Sequence, residues 1–234
     1  MSDLAEWIAC SLPDAACLEG RFVTAMRYEA ARDGEALYQA IGRAEEAHLW
    51  DHIPVGPFED ATALMRFLNF ANDKLGWITY IFRGPAGPDG PDGGVLGMSS
   101  YMRLRPEHGS AEVGSVIFSP RLQRTPAATE AMYLMARHLF DDLGYRRYEW
   151  KCNAKNEASA RAATRFGFTF EGTFRQDMVM KGKNRDTHWF SMLDREWPRA
   201  EAAFDAWLAP DNFDETGGQK STLAEIRSKL QQEA

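Results

Sequence analysis

One stretch constrains the fold more than any other, because a strand runs into a short basic turn that opens the strongest helical pattern in the chain. Residues 111–118 are predicted to form the strand, and residues 128–143 carry apolar side chains at helical spacing. Arg121 and Arg124 lie in the turn between them. Such a turn directs free backbone N–H groups and the positive end of a helix dipole at one place. This pattern predicts a phosphate-binding turn, although a basic turn before a helix is more often only a solvated surface.

The remaining pattern indicates a mixed α/β fold. The order is one strand, two helices, three strands, a helix, a strand, a helix and two strands, which is typical of a central sheet covered by helices on both faces. Asp33 is predicted to cap the first helix. The predicted helices span residues 33–41, 60–72, 128–143, 156–166 and 198–208, and the predicted strands span residues 21–27, 76–82, 95–104, 111–118, 146–152, 168–174 and 187–194.

The pattern predicts one domain with an extension at each end. Residues 1–17 carry no clear element and are predicted to be an N-terminal arm, whereas residues 18–208 form the domain. Residues 209–234 are polar and charged, as expected of a mobile C-terminal tail. Residues 84–94 contain only Gly, Pro, Ala and Asp, so we expect a long hairpin loop there rather than a linker between domains.

Composition and charge exclude several classes of function. The chain has 234 residues, of which 44% are hydrophobic, as in a globular protein with a buried core. Its 27 Lys and Arg against 34 Asp and Glu leave a net charge of −7, which argues against a nucleic-acid binder. No apolar run approaches the roughly 18 residues of a spanning helix, and residues 1–17 lack the pattern of a secretory signal. We therefore expect a cytoplasmic protein that binds no membrane. Its three cysteines show no metal-like spacing, so we expect no metal site.

Two further motifs follow the basic turn, and the combination is similar to a known family. Asn156 and Ser159 stand at the start of a predicted helix that ends in Phe-Gly-Phe at residues 166–168. Over about residues 18–197 the chain resembles a GCN5-related N-acetyltransferase (GNAT), specifically the RimJ/RimL type. That type acetylates protein N-terminal amines and assorted small amines.

The resemblance implies an α/β fold with a mixed, mostly antiparallel sheet whose fourth and fifth strands splay apart. Acetyl-CoA would bind between them as a cosubstrate, without a metal. The family's phosphate loop has a glycine where this chain has Pro126, so one backbone donor is absent, although a neighbouring amide and the two arginines can replace it. The implied cofactor-binding residues are Val116, Ile117 and Phe118 for the pantetheine arm, Gln123, Arg124, Thr125, Ala127, Ala128 and Thr129 for the pyrophosphate, and Asn156 for the pantetheine arm.

Acetyl transfer to an amine needs a base for the ammonium, donors for the developing oxyanion and a proton for the departing thiolate. At the positions where many relatives carry a base and an acid tyrosine, this chain has Lys151 and Ala163. The resemblance to RimL-like enzymes points to Ser159 as the proton donor for the thiolate. Glu112, on the fourth predicted strand and directed toward the splayed strands, is the best candidate for the base.

Plainer interpretations stay open for both catalytic candidates. Glu112 could be a sheet-edge carboxylate paired with arginine, and Ser159 an ordinary serine in the first turn of a helix. His48 and His52 could also take the amine proton near neutral pH. A second hypothesis, motivated in part by Pro126, is a non-catalytic acyl-CoA-binding or interaction protein on the same fold.

The aromatic loop at residues 50–58 is expected to shape the pocket for the acceptor. That acceptor would be a small-molecule amine or a protein N-terminus, and the negative net charge modestly favours cationic acceptors. A homodimer is a further possible assembly of the protein. The predicted substrate-binding residues are Trp50, His52, Pro57 and Phe58.

Overall fold

The computed structural model describes residues 4–85 and 93–232, which contain eight strands in a single sheet. The strands are β1 (Cys17–Glu19), β2 (Thr24–Arg27), β3 (Ile78–Arg83), β4 (Val95–Arg105), β5 (Ser110–Phe118), β6 (Arg147–Asn153), β7 (Thr169–Met180) and β8 (Lys183–Leu193). Their order across the sheet is β1-β2-β3-β4-β5-β6-β8-β7, and every neighbouring pair is antiparallel except β5 and β6. This confirms the predicted mixed, mostly antiparallel sheet.

Helices cover the sheet because each has an apolar face that must be buried against the sheet or against a neighbouring helix. One core cluster, around Leu37, Leu64 and Ile81, joins the first two helices to the sheet. A larger cluster, around Tyr148 and Phe204, joins the later helices to it. None of the helices in the described part of the chain is long and apolar enough to cross a membrane. The helices are α1 (Ala30–Ile41), α2 (Ala61–Lys74), α3 (Pro126–Arg137), α4 (Glu157–Phe166), α5 (Trp197–Leu208) and α6 (Leu223–Gln232).

Strands β5 and β6 separate in the middle of the sheet. Their parallel pairing joins only residues 110–113 of β5 to residues 147–150 of β6. Just beyond, β5 carries a bulge in which Ser115 and Val116 lie opposite the single residue Ser99 of β4. From there β5 continues along β4 alone, so its other edge faces a cleft. Strands β5 and β6 correspond to the fourth and fifth strands predicted from the sequence, so the predicted splay is confirmed.

The C-terminal segment differs from the mobile tail that we expected. Residues 223–232 form α6, and its Leu223, Ile226 and Leu230 pack against the larger core cluster. Arg227 also donates hydrogen bonds to two backbone carbonyls of α4, at 2.8 and 3.0 Å. The segment packs because its few apolar residues share one helical face.

The last hairpin is longer than predicted. Strand β7 ends at Met180 and β8 begins at Lys183. Most of the residues between 174 and 187, where a loop was expected, therefore belong to the two strands. The sequence gives little sign of this, because nearly every residue of β7 is exposed and hydrophobic alternation is absent. At the tip, Lys181 Nζ donates to the carbonyl of Trp50 at 2.8 Å. The loop expected at residues 84–94 lies mostly outside the described residues.

Candidate active site

A cleft of about 1230 Å³ lies where β5 and β6 separate. At one end, hereafter the α3 end, it is lined by the turn between β5 and α3. At the other, hereafter the hairpin end, it is lined by residues of β7 and β8, including Asp177 and Arg185. Of the predicted site residues, Ala127, Trp50, Pro57 and Phe58 do not line it. Those that do are Glu112, Val116, Ile117, Phe118, Gln123, Arg124, Thr125, Ala128, Thr129, Asn156, Ser159 and His52.

The turn at the α3 end is built around a capped helix start. Thr125 Oγ1 accepts a hydrogen bond from the N–H of Ala128 at 3.2 Å and donates one to the carbonyl of Leu122 at 2.6 Å. Pro126 occupies the first helical position, two residues earlier than predicted, where an N–H has no partner inside the helix in any case. Arg124 adopts a left-handed conformation with φ of 61° and turns the chain into the helix. Pro126 therefore suits the helix start, although it removes one amide donor.

Arg124 and Arg165 line the α3 end of the cleft, and neither has a carboxylate partner within 4 Å among residues 4–85 and 93–232. Arg165 donates to Thr129 Oγ1 at 3.1 Å and lies 5.0 Å from the ring centre of Trp207. Burial lowers the pKa of Arg165, and the charge of Arg227 lowers it further. Arg124 and Arg165 both line the cleft, so their positive charge at the α3 end favours a phosphate ligand. The sequence analysis missed Arg165, although its spacing of four from Arg161, which also lines the cleft, was an available signal.

At the start of α4, Asn156 and Ser159 form a hydrogen-bonded chain with a buried tryptophan. Asn156 Oδ1 accepts from the backbone N–H of Ser159 at 3.0 Å, which leaves the Asn156 NH₂ group for a ligand. Ser159 Oγ accepts from Trp150 Nε1 at 3.0 Å. Burial raises the pKa of the Cys152 thiol, and contact with Ser159 only partly opposes this. Because Ser159 Oγ accepts from the indole, its own hydrogen is left to act as a donor, either to the neighbouring Cys152 sulfur or to a ligand.

Glu112 lies where β5 and β6 begin to separate. Its side chain is 8% exposed, its carboxylate forms an ion pair with the ammonium of Lys151, and Arg103 Nε lies 3.7 Å from Oε2. Burial raises the pKa of Glu112, and the charges of Lys151 and Arg103 only partly oppose the shift. Lys151 Nζ also lies 4.5 Å from the ring centre of Trp189. Glu112 is thus paired with cations, as the plainer interpretation expects, and it also lines the cleft, so its role as a base stays a prediction.

The backbone beside Glu112 gives its carboxylate room. A methyl group at Gly114 would lie 3.3 Å from Glu112 Oε1 and would collide with Met102 Sδ. One residue further, the bulge at Ser115 and Val116 leaves one residue of β5 without a partner on β4. A backbone N–H at such a bulge can donate to an oxygen that gains negative charge.

The aromatic loop lines the cleft with other residues than those predicted to bind the acceptor, apart from His52. Trp50 is 1% exposed, and its Nε1 donates to the carbonyl of the last residue of α1 at 2.7 Å. Phe58 packs edge-on against it, with ring centres 5.2 Å apart. A large aromatic group with its N–H satisfied is more stable in the core than in water. Trp50 and Phe58 therefore support the loop from behind and Pro57 is exposed, whereas His48 and His52 line the cleft.

Two charged residues at the hairpin end, Asp177 and Arg185, were absent from the sequence analysis. No local pattern marks them, because their position depends on how β8 pairs with β6 and β7. Within the described ranges, no three His, Cys, Asp or Glu side chains form a group that could hold a metal ion.

Comparison with known proteins identifies the family. Residues 26–169 match the model of the acetyltransferase (GNAT) domain, whereas no curated protein matches the chain. A GCN5-related N-acetyltransferase from Brucella melitensis is 40% identical with a TM-score of 0.88, over 95% of this chain and 99% of that one. A probable GNAT-family acetyltransferase from Chromobacterium violaceum is 41% identical with a TM-score of 0.77, over 85% and 96%.

A more distant structure shares the fold alone. A spermidine N-acetyltransferase from Vibrio cholerae, solved with CoA and spermine, is 15% identical with a TM-score of 0.61, over 75% of this chain and 98% of that one. The match of the domain model to more than half of the chain and the two relatives near 40% identity lead to one conclusion. The chain belongs to the GNAT acetyltransferase family.

Proposed function

We propose that the protein is an N-acetyltransferase that moves the acetyl group of acetyl-CoA directly to a primary amine in a ternary complex. The observation that carries the proposal is the cleft, where a free strand edge, a capped helix start and a buried carboxylate line one continuous space. Acetyl-CoA supplies the acetyl group as a thioester. The RimJ/RimL type is part of the proposal and rests on Asn156, Ser159 and residues 166–168. A cytoplasmic location and a homodimer stay predictions.

The residues along the cleft fit coenzyme A. The free edge of β5 can bond to a pantetheine arm as a further strand would, although the Phe118 carbonyl already accepts from Gln123 Nε2 at 2.8 Å. The start of α3, with Arg124 and Arg165 nearby, offers amides and positive charge to phosphates. The free NH₂ group of Asn156 can donate to a pantetheine carbonyl.

In the proposed reaction, Glu112 takes the amine proton directly or through one water. Its raised pKa makes it a stronger base than an ordinary carboxylate, while Lys151 and Arg103 favour its ionised form. The bulge amide of β5 donates to the thioester oxygen as that oxygen gains negative charge. Ser159, held by Trp150, donates its proton to the departing sulfur and takes a proton from solvent water in return.

A non-catalytic acyl-CoA-binding protein is the second candidate. The observation that favours it is the ion pair between Lys151 and Glu112, because a paired carboxylate is a weaker base. Both candidates predict binding of coenzyme A. Only the enzyme predicts release of its thiol when an amine is added.

The test therefore combines binding with turnover. Coenzyme A at about a hundred times its Kd should stabilise the folded state by about 2.7 kcal/mol and raise the melting temperature. Arg124→Ala should reduce this shift, whereas Arg43→Ala, which removes an exposed arginine outside the cleft, should not. No shift in the unmodified protein would refute both candidates. A normal shift without thiol release on a broad panel of amines would favour the binding protein.

A further inference from the structure

Arg185 is a buried cation at the hairpin end of the cleft. Its side chain is 8% exposed, and no carboxylate among the described residues lies within 4 Å of its guanidinium. Nε donates to Thr187 Oγ1 at 3.2 Å, and Nη1 contacts the sulfur of Met180 at 3.6 Å, which is a weak acceptor. Burial lowers the pKa of Arg185, and the charges of Asp177 and Glu112 only partly oppose it. A buried guanidinium with so few acceptors suits a ligand that brings the opposite charge.

Strand register places Arg185 on the same face of the sheet as the proposed base. On β8 it stands four residues from Trp189, which pairs with Lys151 of β6. On β6, Lys151 stands two residues from Glu149, which pairs with Glu112 of β5. Even spacing along a strand keeps side chains on one face. Arg185 therefore faces the side on which Glu112 would meet the amine.

The charges at this end of the cleft do not favour a polycation. Arg103, Lys151 and Arg185 line it against Glu112 and Asp177, and Glu112 is already matched by two cations. An acceptor with several positive charges would meet more repulsion than attraction. This local balance outweighs the weak preference for cationic acceptors that the net charge of −7 suggested.

We propose that Arg185 binds an anionic group on the acceptor, so that the substrate is a small amine with a nearby carboxylate, as in an amino acid. This rests on the proposed N-acetyltransferase function. A guanidinium presents Nη1 and Nη2 to two oxygens at once, which matches the geometry of a carboxylate. A phosphate ester beside an amine offers the same chemistry. Arg185 acts here as a specificity residue, since it would hold the acceptor and take no part in proton transfer.

Matched acceptors test this by thiol release from acetyl-CoA. Glycine, alanine, phenylalanine and glutamate are each compared with the corresponding α-carboxamide, and phosphoethanolamine is compared with ethanolamine. The unmodified protein should show a kcat/KM about 10-fold or more higher for the anionic member of an accepted pair, as expected for a charge-assisted hydrogen bond. Arg185→Gln should lower kcat/KM for the anionic member alone, mainly by raising its KM. Arg185→Lys should keep part of the preference for the anionic member. Lys183→Gln, which removes an exposed charge on the same strand, should keep all of it.

A binding measurement separates this proposal from the proposed function. Calorimetry with coenzyme A present compares the N-acetylated amino acids with their amides, on variants whose melting temperatures show that they are folded. Tighter binding of the acids that is lost in Arg185→Gln supports the role of Arg185, even if no amine releases thiol and the N-acetyltransferase proposal fails. A preference confined to phosphoethanolamine would show that the anionic group bound by Arg185 is a phosphate and not a carboxylate. Equal binding and equal rates within every pair, or a preference that survives in folded Arg185→Gln, would overturn the proposal. If Arg185→Gln does not fold, two other results test the proposal. They are the difference between acids and amides in the unmodified protein and the part of that difference that Arg185→Lys keeps.

Discussion

Two buried carboxylates, Asp33 and Glu112, carry the same charge in different surroundings. Asp33 is 0% exposed and accepts hydrogen bonds from Arg83 at 2.7 Å, from Arg32 at 2.8 Å and from the N–H of Glu29 at 2.8 Å. Burial alone would raise the pKa of Asp33, but these bonds outweigh it and hold the pKa below its ordinary value. At Glu112 burial prevails, and the pKa is raised.

The difference lies in how completely each carboxylate is satisfied. Fixed donors surround Asp33, so it holds α1 against β3 and has little capacity left for other chemistry. Glu112 Oε2 has the side chains of Lys151 and Arg103 as counter-ions, no backbone N–H of the described residues donates to it, and the side chain borders a cleft. A buried carboxylate with an incomplete set of donors retains the capacity to accept a proton. This comparison is why we assign a structural role to Asp33 and a chemical role to Glu112.

The largest expected effect is that of Glu112→Gln on turnover. Removing a general base of similar shape should lower kcat by about 10²- to 10⁴-fold. In the unmodified protein kcat should fall as the pH drops through a pKa above the ordinary glutamate value, because the protonated carboxyl cannot accept the amine proton. The variant should lack that inflection. The affinity for coenzyme A, measured by calorimetry, should stay unchanged in the same preparation.

Near-normal turnover in Glu112→Gln would break the comparison, because Glu112 would then be as structural as Asp33. In that event His48 or His52, which line the same cleft, or bulk water would take the proton. The variants His48→Asn and His52→Asn would then separate these options.

The converse substitution, Asp33→Asn, should affect stability instead. It removes the negative charge that accepts from the buried guanidinium of Arg83, and breaking such a buried pair costs about 3–5 kcal/mol of unfolding free energy. Because the folded-state pKa of Asp33 is lowered, its stabilisation is complete above the unfolded pKa of about 3.9 and is lost as the pH falls through the folded value. Denaturant unfolding across acidic pH should show this loss in the unmodified protein and not in the variant.

Two controls accompany Asp33→Asn. Glu45→Gln breaks an exposed pair with Arg43 and should leave unfolding nearly unchanged. The kcat of the molecules that remain folded should equal that of the unmodified protein. A loss of kcat at unchanged stability would reverse the assigned roles.

The same two residues show how far the sequence predicts the molecule. Asp33 was predicted as a helix cap, yet it lies inside α1 and is buried, because its partner Arg83 comes from a distant strand. The basic turn before α3 was predictable, since the strand, the cap and the helix are contiguous in sequence. Splayed strands and the cleft followed from the family resemblance and are confirmed in the structure.

What the sequence could not predict depends on tertiary contacts. Trp50 was assigned to the acceptor pocket because aromatic side chains suit both pockets and cores, and only packing decides between them. Arg185 enters the cleft through the register of β8. Residues 223–230 show a weak amphipathic pattern, yet a tail was predicted there, because a polar segment of ten residues is only marginally helical until its apolar face is packed.

The smallest expected effect, that of Ser159→Ala, sharpens the comparison by asking whether a hydrogen-bonded hydroxyl is structural or chemical. A thiol with a pKa of about 8.5 is a good leaving group even without a proton donor, so loss of that donor should lower kcat by only about 10-fold or less. The substitution also removes the acceptor for the buried Trp150 N–H, which should reduce stability by about 1–3 kcal/mol. Trp150→Phe is the matched variant, because it removes that donor and keeps the hydroxyl. If Ser159 donates the proton, kcat should fall in Ser159→Ala and be largely retained in folded Trp150→Phe. If stability falls while kcat at saturating amine is unchanged in Ser159→Ala, the serine only anchors Trp150 and the departing sulfur takes its proton from water.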